Sequence, residues 1–179
     1  LRPLHRQPFL IGNCGRKLLK KTYAILAVTV GLVLILDQWT KHLVDSGMYL
    51  HQSFPVVKGF INITYVRNPG AAFGFLSGIH SSLRVAFFFL VSAAAIVLIV
   101  YYLKKYRVKD MLLASSLSLI LAGAAGNLID RVRFGEVIDF VDVHVAGHHW
   151  PAFNVADSAI SIGAVLLIWD MLRKRKSSR

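Results

Sequence analysis

The sequence predicts a mainly α-helical, polytopic membrane protein: four transmembrane helices, with a small β-sheet and an interfacial loop or helix on the outer face. Three observations predict it. Of 179 residues, 55% are hydrophobic and only 17% are charged, a balance that excludes a disordered chain and an ordinary soluble domain. Four apolar runs have lengths suited to a bilayer core. The basic residues are gathered into blocks that alternate with those runs. Residues 1–21 hold six Lys/Arg and no acid; Lys104, Lys105, Arg107 and Lys109 form a second block; Arg173, Lys174, Arg175, Lys176 and Arg179 form a third. Together they account for 15 of the 21 basic residues. The net charge of +12 is therefore a positive-inside pattern and not a nucleic-acid surface.

The first apolar run covers residues 23–36 and extends past Asp37 towards Leu43. Its basic flank and short apolar core resemble a signal peptide. However, Asp37-Gln38-Trp39-Thr40-Lys41 follows directly, with no small-residue cleavage site, so the run reads as a retained signal anchor. Residues 60–66 are β-branched and aromatic and predict a strand. Asn68-Pro69-Gly70 forces a turn, after which residues 71–75 are expected to return as a second strand. Residues 85–103 are 19 uncharged positions, about 28 Å of helix. Residues 111–129 form the third run, where Ala122-Gly123-Ala124-Ala125-Gly126 allows close approach of a neighbouring helix. Residues 130–151 are read as a second outer loop, and residues 152–169 as the fourth run. Four spans with basic blocks at one set of ends put both termini in the cytoplasm. The single Cys14 permits no internal disulfide and no paired-cysteine metal site.

This topology gathers scattered acids. The first and third helices run outward and are expected to end near Asp37 and Asp130; the fourth runs inward from near Asp157; Asp139 lies in the loop between the third and fourth. A carboxylate beside an apolar run is expensive to keep ionised and usually has a function. Two of them in one poorly hydrated site share a proton and can activate a water for amide hydrolysis. Asp139 and Asp157 are the leading candidates. Lys41, Asn68, Asn127, Arg131 and Asn154 bring donors and acceptors to the same depth. Gly70, with Gly74 and Gly78, is expected to leave the neighbouring loop mobile enough to clamp a substrate. Asp45, Glu136 and Asp142 read as ordinary helix-end or surface charges, and Asp130 beside Arg131 fits a structural ion pair as well as a functional role.

Three other chemistries fit less well. His144, His148 and His149 with Asp139 or Asp142 include an i,i+4 pair, but the His-Glu-x-x-His arrangement of a zinc peptidase is missing, so no metal is expected. A Ser–Lys peptidase using Ser158 or Ser77 with Lys41 lacks a strained nucleophile turn. A proton-coupled transporter using Asp130, Asp139 and Asp157 would place them near the midplane, not at one face.

Five blocks, Asp37-Gln38-Trp39-Thr40-Lys41, Asn68-Pro69-Gly70-Ala71-Ala72-Phe73, Gly126-Asn127-Leu128-Ile129-Asp130-Arg131, Val137-Ile138-Asp139-Phe140 and Phe153-Asn154-Val155-Ala156-Asp157-Ser158, resemble in order and spacing the signature blocks of the bacterial lipoprotein signal peptidases (signal peptidase II). The resemblance covers roughly residues 22–172. It implies an aspartic endopeptidase of the bacterial cytoplasmic (inner) membrane that removes signal peptides from prolipoproteins, cutting before a cysteine that carries a diacylglyceryl group. It implies Asp139 and Asp157 as the catalytic pair, and Asp37, Lys41, Asn68, Gly70, Asn127, Asp130, Arg131 and Asn154 as positions that bind substrate or support the site. The expected partners are a lipidated prolipoprotein and membrane lipid, with no cofactor, no nucleic acid and a monomeric enzyme. The expected organisation is a basic cytoplasmic segment at 1–21, a four-helix peptidase domain at 22–172 and a basic cytoplasmic tail at 173–179, with the active site at the outer face.

Overall fold

The computed structural model describes residues 13–70 and 80–177. Four long helices dominate: α1 Asn13–Gly47, α2 Ser81–Tyr106, α3 Met111–Phe134 and α4 Val155–Ser177. Each is long and apolar enough to cross a membrane. Local chemistry sets their ends. Asp110 caps α3 by accepting from the Leu112 and Leu113 amides, and Gly135, at φ 75°, closes it with an amide bond to the Arg131 carbonyl. α1 does not stop near Asp37 as expected. Its 35 residues continue to Gly47, leaving Asp37 about three turns short of the end. α3 likewise runs past Asp130 to Phe134.

α3 is the central helix and packs against the other three. Small residues permit this. A Cβ built on Gly123 would sit 2.3 Å from the Ala156 carbonyl oxygen of α4, and one on Gly163 would meet the Ser116 carbonyl oxygen at 2.8 Å. The small-residue run at 122–126 thus does what its composition predicts. Around this seam the distribution of polarity is inverted relative to a soluble domain. Val28, Leu32 and Ile35 of α1, Leu90, Val97 and Leu98 of α2, and Val165 and Ile168 of α4 point outward. Lys41, Asp37, Asp130, Asp139 and Asn154 are fully buried. That arrangement suits lipid outside and a polar network within.

Between the helices lie β1 Ser53–Val57, β2 Ile61–Asn68, β3 Val137–Val145 and β4 His148–His149, in one antiparallel sheet of order β1-β2-β3-β4. The strand expected at residues 60–66 is β2. The strand expected at residues 71–75 lies outside the described residues, and β2 pairs instead with β1 and β3. The segment read as a loop from 130 to 151 begins as the last turn of α3 and then carries β3 and β4. From Val141 to Val145 its side chains alternate apolar and polar, which pairing with β2 satisfies. Val66 stands opposite Asp139 and Asn68 opposite Val137, beyond a register shift between Ile63 and Val66. Val44, Tyr65, Ile138 and Phe140, with Met48 and Val155, form an apolar cluster that seats the sheet on α1 and on the first turn of α4. At the opposite end of the bundle, Arg173 of α4 bonds Asp110 at 2.9 Å.

Candidate active site

Asp139 and Asp157 reach the site from different layers, Asp139 from β3 and Asp157 from the first turn of α4. Three asparagines join them. Asn154 donates from Nδ2 to Asp139 Oδ1 at 2.7 Å, and Asn68 donates from Nδ2 to Asp139 Oδ2 at 2.8 Å. Asn127 donates from Nδ2 to Asp157 Oδ1 at 2.7 Å. An amide can present either end, so something must fix which end faces the acids. In each case it is the carbonyl oxygen. Asn68 Oδ1 accepts the Gly70 amide at 2.8 Å, Asn154 Oδ1 accepts the Asp157 amide at 2.9 Å, and Asn127 Oδ1 accepts Lys41 Nζ at 3.0 Å. With the oxygens engaged, all three Nδ2 groups are turned towards the carboxylates.

Asn154 and Asp157 also form a reciprocal cap. Asp157 Oδ2 accepts the Asn154 backbone amide at 3.3 Å while Asn154 Oδ1 accepts the Asp157 amide. This is a capping box, with Asn and Asp three residues apart. Asp37 supplies a second cap from across the bundle, its Oδ1 accepting the Ala156 amide at 2.9 Å. The start of α4 is therefore held by two carboxylates.

Beneath this lies a buried ionic group. Lys41 Nζ is 2.8 Å from Asp37 Oδ2 and 2.8 Å from Asp130 Oδ2. Asp130 also accepts the Ile138 amide at 3.2 Å, which ties α3 to the first residues of β3. Gln38 donates from Nε2 to Asp130 Oδ1 at 3.0 Å. Asp130 is thus paired with Lys41 and not with its neighbour Arg131. The Arg131 guanidinium bonds the Asn127 carbonyl at 3.2 Å and lies over the Phe88 ring, 5.7 Å from its centroid. The same ring packs on Gly70, where an added Cβ would fall 2.1 Å from Phe88 Cδ2. Gly70, at φ 98°, therefore serves close approach and a left-handed turn. Gly74 and Gly78 lie outside the described residues.

Burial pushes the Asp139 carboxyl up to about 7; the charge of Asp157 adds to that rise, and the amides of Asn68 and Asn154 oppose it. The site thus holds two mutually repelling carboxyl groups at the edge of an apolar bundle. A model of the family described as signal peptidase (SPase) II matches residues 29–173.

This chain belongs to the signal peptidase II family.

It is a signal peptidase, hence a protease, and its four apolar helices make it a multi-pass bacterial membrane protein. A lipoprotein signal peptidase from Syntrophus aciditrophicus (strain SB) is 56% identical over 88% of this chain and 98% of its own length. One from Geobacter metallireducens is 52% identical over 90% of this chain and 99% of its own length. A bacterial membrane enzyme solved by the in meso method at 2.3 Å resolution superposes with a TM-score of 0.76, at 38% identity, over 86% of this chain and 91% of that one. Among the described residues, side chains from all five blocks that resemble signal peptidase II meet in this one place: Asp37 and Lys41, Asn68, Asn127 and Asp130, Asp139, and Asn154 and Asp157. Sequence reasoning missed Gln38, whose signal was a polar amide beside Asp37 in an apolar helix. It also missed the capping box, legible as Asn-x-x-Asp from residue 154. Asp45, set aside as a helix-end charge, pairs with Arg67 at 2.6 Å and accepts the Tyr65 hydroxyl.

Proposed function

We propose that this signal peptidase II cleaves lipidated prolipoproteins just before the diacylglyceryl-modified cysteine, with Asp139 and Asp157 as a catalytic dyad. The observation that carries the reading is the orientation of the three asparagine amides, all turned by their own carbonyl oxygens to donate to those two acids. The pair carries one proton between them, since two carboxylates in a poorly hydrated site do not both ionise cheaply. The ionised member takes a proton from water as that water attacks the scissile carbonyl. The protonated member stabilises the developing oxyanion; the intermediate then collapses with breakage of the C–N bond as a carboxyl proton passes to the leaving nitrogen. Asp37, Lys41 and Asp130 act through Asn127 and the start of α4 and are positioning residues. Arg131 and Asn68 border the same space and orient the substrate backbone. No step requires a metal ion.

The bilayer geometry follows from the charge blocks. Lys104 and Lys105 end α2, Arg107 and Lys109 lie between α2 and α3, and Arg173 to Lys176 end α4. These groups are at the bundle end away from the sheet, which supports cytoplasmic termini and a site at the outer face. There a substrate keeps its apolar helix and acyl chains in lipid while its cleavage site meets the acids. The enzyme works as a monomer within residues 22–172. Single-turnover cleavage of a lipidated prolipoprotein in detergent tests the reading. Asp139→Asn and Asp157→Asn should each abolish most turnover, the double variant should lose little more, and a chelator should leave wild-type cleavage intact. Efficient cleavage by a folded Asp157→Asn protein would end it.

A further inference from the structure

The outer sheet carries a second group of chemically capable side chains that the dyad does not use. Asp142 and His144 are two residues apart on β3 and so share one face of the strand. His149 of β4 is the register partner of His144, which brings it alongside them. Asp139, an odd number of residues from Asp142, belongs to the other face. One ligand atom from each of Asp142, His144 and His149 lies within 4.8 Å of the others. His149 Nδ1 is 2.8 Å from Asp142 Oδ1, and His144 Nδ1 is 4.0 Å from Asp142 Oδ2. The two imidazoles stack with centroids 4.8 Å apart.

Two details set this trio apart from a chance surface cluster. His144 Nδ1 is buried and has no hydrogen-bond partner, an arrangement that costs a polar atom its solvation without replacement. Asp142 Oδ2 accepts the Asn62 side-chain amide at 3.0 Å, the kind of outer contact that orients a ligating carboxylate. The i,i+4 spacing of His144 and His148 in the sequence pointed to the wrong histidine. In the hairpin His148 pairs with Val145, and His149 is the residue that faces His144.

We propose that Asp142, His144 and His149 form a binding site for a divalent transition-metal ion of the zinc class, through two imidazole nitrogens and one carboxylate oxygen. Tetrahedral bonds of about 2.0–2.2 Å put ligand atoms about 3.3–3.5 Å apart. The separations from Asp142 to the two imidazoles, 2.8 Å to His149 and 4.0 Å to His144, bracket that range. Nitrogen and oxygen donors of this kind favour zinc or cobalt over magnesium or calcium. The ion would fasten the hairpin between β3 and β4. That hairpin continues through Trp150, whose amide bonds the Val143 carbonyl at 2.8 Å, to Phe153, whose carbonyl accepts the Val141 amide at 2.8 Å. Asn154 follows immediately. The ion is thus a structural clip on the segment that delivers Asn154, on the sheet face away from the dyad.

The test uses purified full-length protein without a histidine tag, in detergent, titrated with Co2+. One equivalent should bind with the visible absorption of a tetrahedral nitrogen–oxygen site, and Zn2+ should displace it and raise the Tm. His149→Ala, an exposed and structurally mild change, should weaken Co2+ binding at least tenfold, and His144→Ala should do the same. Asn62→Leu should weaken it by about 10–100-fold, and His148→Ala should leave it unchanged. Binding that survives both the His144 and His149 changes, or is lost with His148, overturns the proposal. So does the absence of saturable Co2+ binding in the wild-type protein. Because the readouts are absorption and Tm, failure here leaves the cleavage assays for the dyad untouched.

Discussion

Replacing Asp139 with asparagine separates the electrostatic cost of this site from its chemistry. The carboxyl is buried at 1% exposure and is pushed up to about 7 from 3.8. Below about pH 4 it is neutral in folded and unfolded chains alike, so ionisation contributes nothing to a stability difference. Between about pH 4 and pH 7 the unfolded chain releases the proton while the folded chain retains it, and wild-type stability falls as pH rises. Above about pH 7 the full penalty applies, about 2–4 kcal/mol. Asparagine carries no such penalty. It does place an NH2 group among the Asn68 and Asn154 donors, at a cost of about 1–3 kcal/mol that does not vary with pH. The expected result is therefore a slope. Relative to wild type, Asp139→Asn should be neutral or destabilised at about pH 4.5 and gain roughly 5–15 °C in midpoint by about pH 8.5. Thermal unfolding in detergent, followed by tryptophan fluorescence at four pH values, measures it. A difference between the two proteins that stays flat across that range would refute the reasoning, whatever its sign.

Lys41→Met removes the cation between two buried carboxylates and should destabilise the protein by about 3–5 kcal/mol, read as a lower thermal midpoint. Gly126→Ala would put a Cβ 2.5 Å from Asp37 Oδ2; it should cost about 1–3 kcal/mol and depress turnover by displacing the cap on α4. Reporter fusions after Lys58 and after Gly147 should report the outer side and one after Arg107 the cytoplasm; a cytoplasmic signal at Lys58 would overturn the topology. Asp142→Asn, three residues from Asp139 but on the other sheet face, should leave single-turnover cleavage near normal.

The helices were legible because a bilayer-spanning run has to be long and apolar, and little else in a chain of this size is. Their ends were less so. Apolar patterning gives no reason for α1 to continue beyond Asp37, since the buried partners that make its polar last turns tolerable come from α3 and α4. β3 was missed although Val141-Asp142-Val143-His144-Val145 alternates plainly. Its flanking Asp139 and its histidines invited reading as an interfacial loop, and its pairing partner β2 lies about 75 residues earlier. The acids were identified one by one from their apolar surroundings. What no local pattern could provide was the direction of each amide: that Asn127 faces Asp157 depends on Lys41, 86 positions away.

The order in which the chain is made gives the joint between sheet and bundle one further consequence. β2 emerges between the first two spans but has no β3 to pair with until α3 has been inserted. Asp157 follows later still, on the last helix. On the proposed dyad, a nascent chain carrying three spans holds the Lys41 ion group in place but possesses neither a docked Asp139 nor any Asp157. On that reading such a chain lacks the pair that would cut, in a membrane crowded with other proteins under insertion. On the same reading, competence waits for α4, whose packing on Gly123 and whose Asn154–Asp157 cap complete the pair. Biogenesis of this fold therefore carries its own safeguard, with no separate inhibitory segment required.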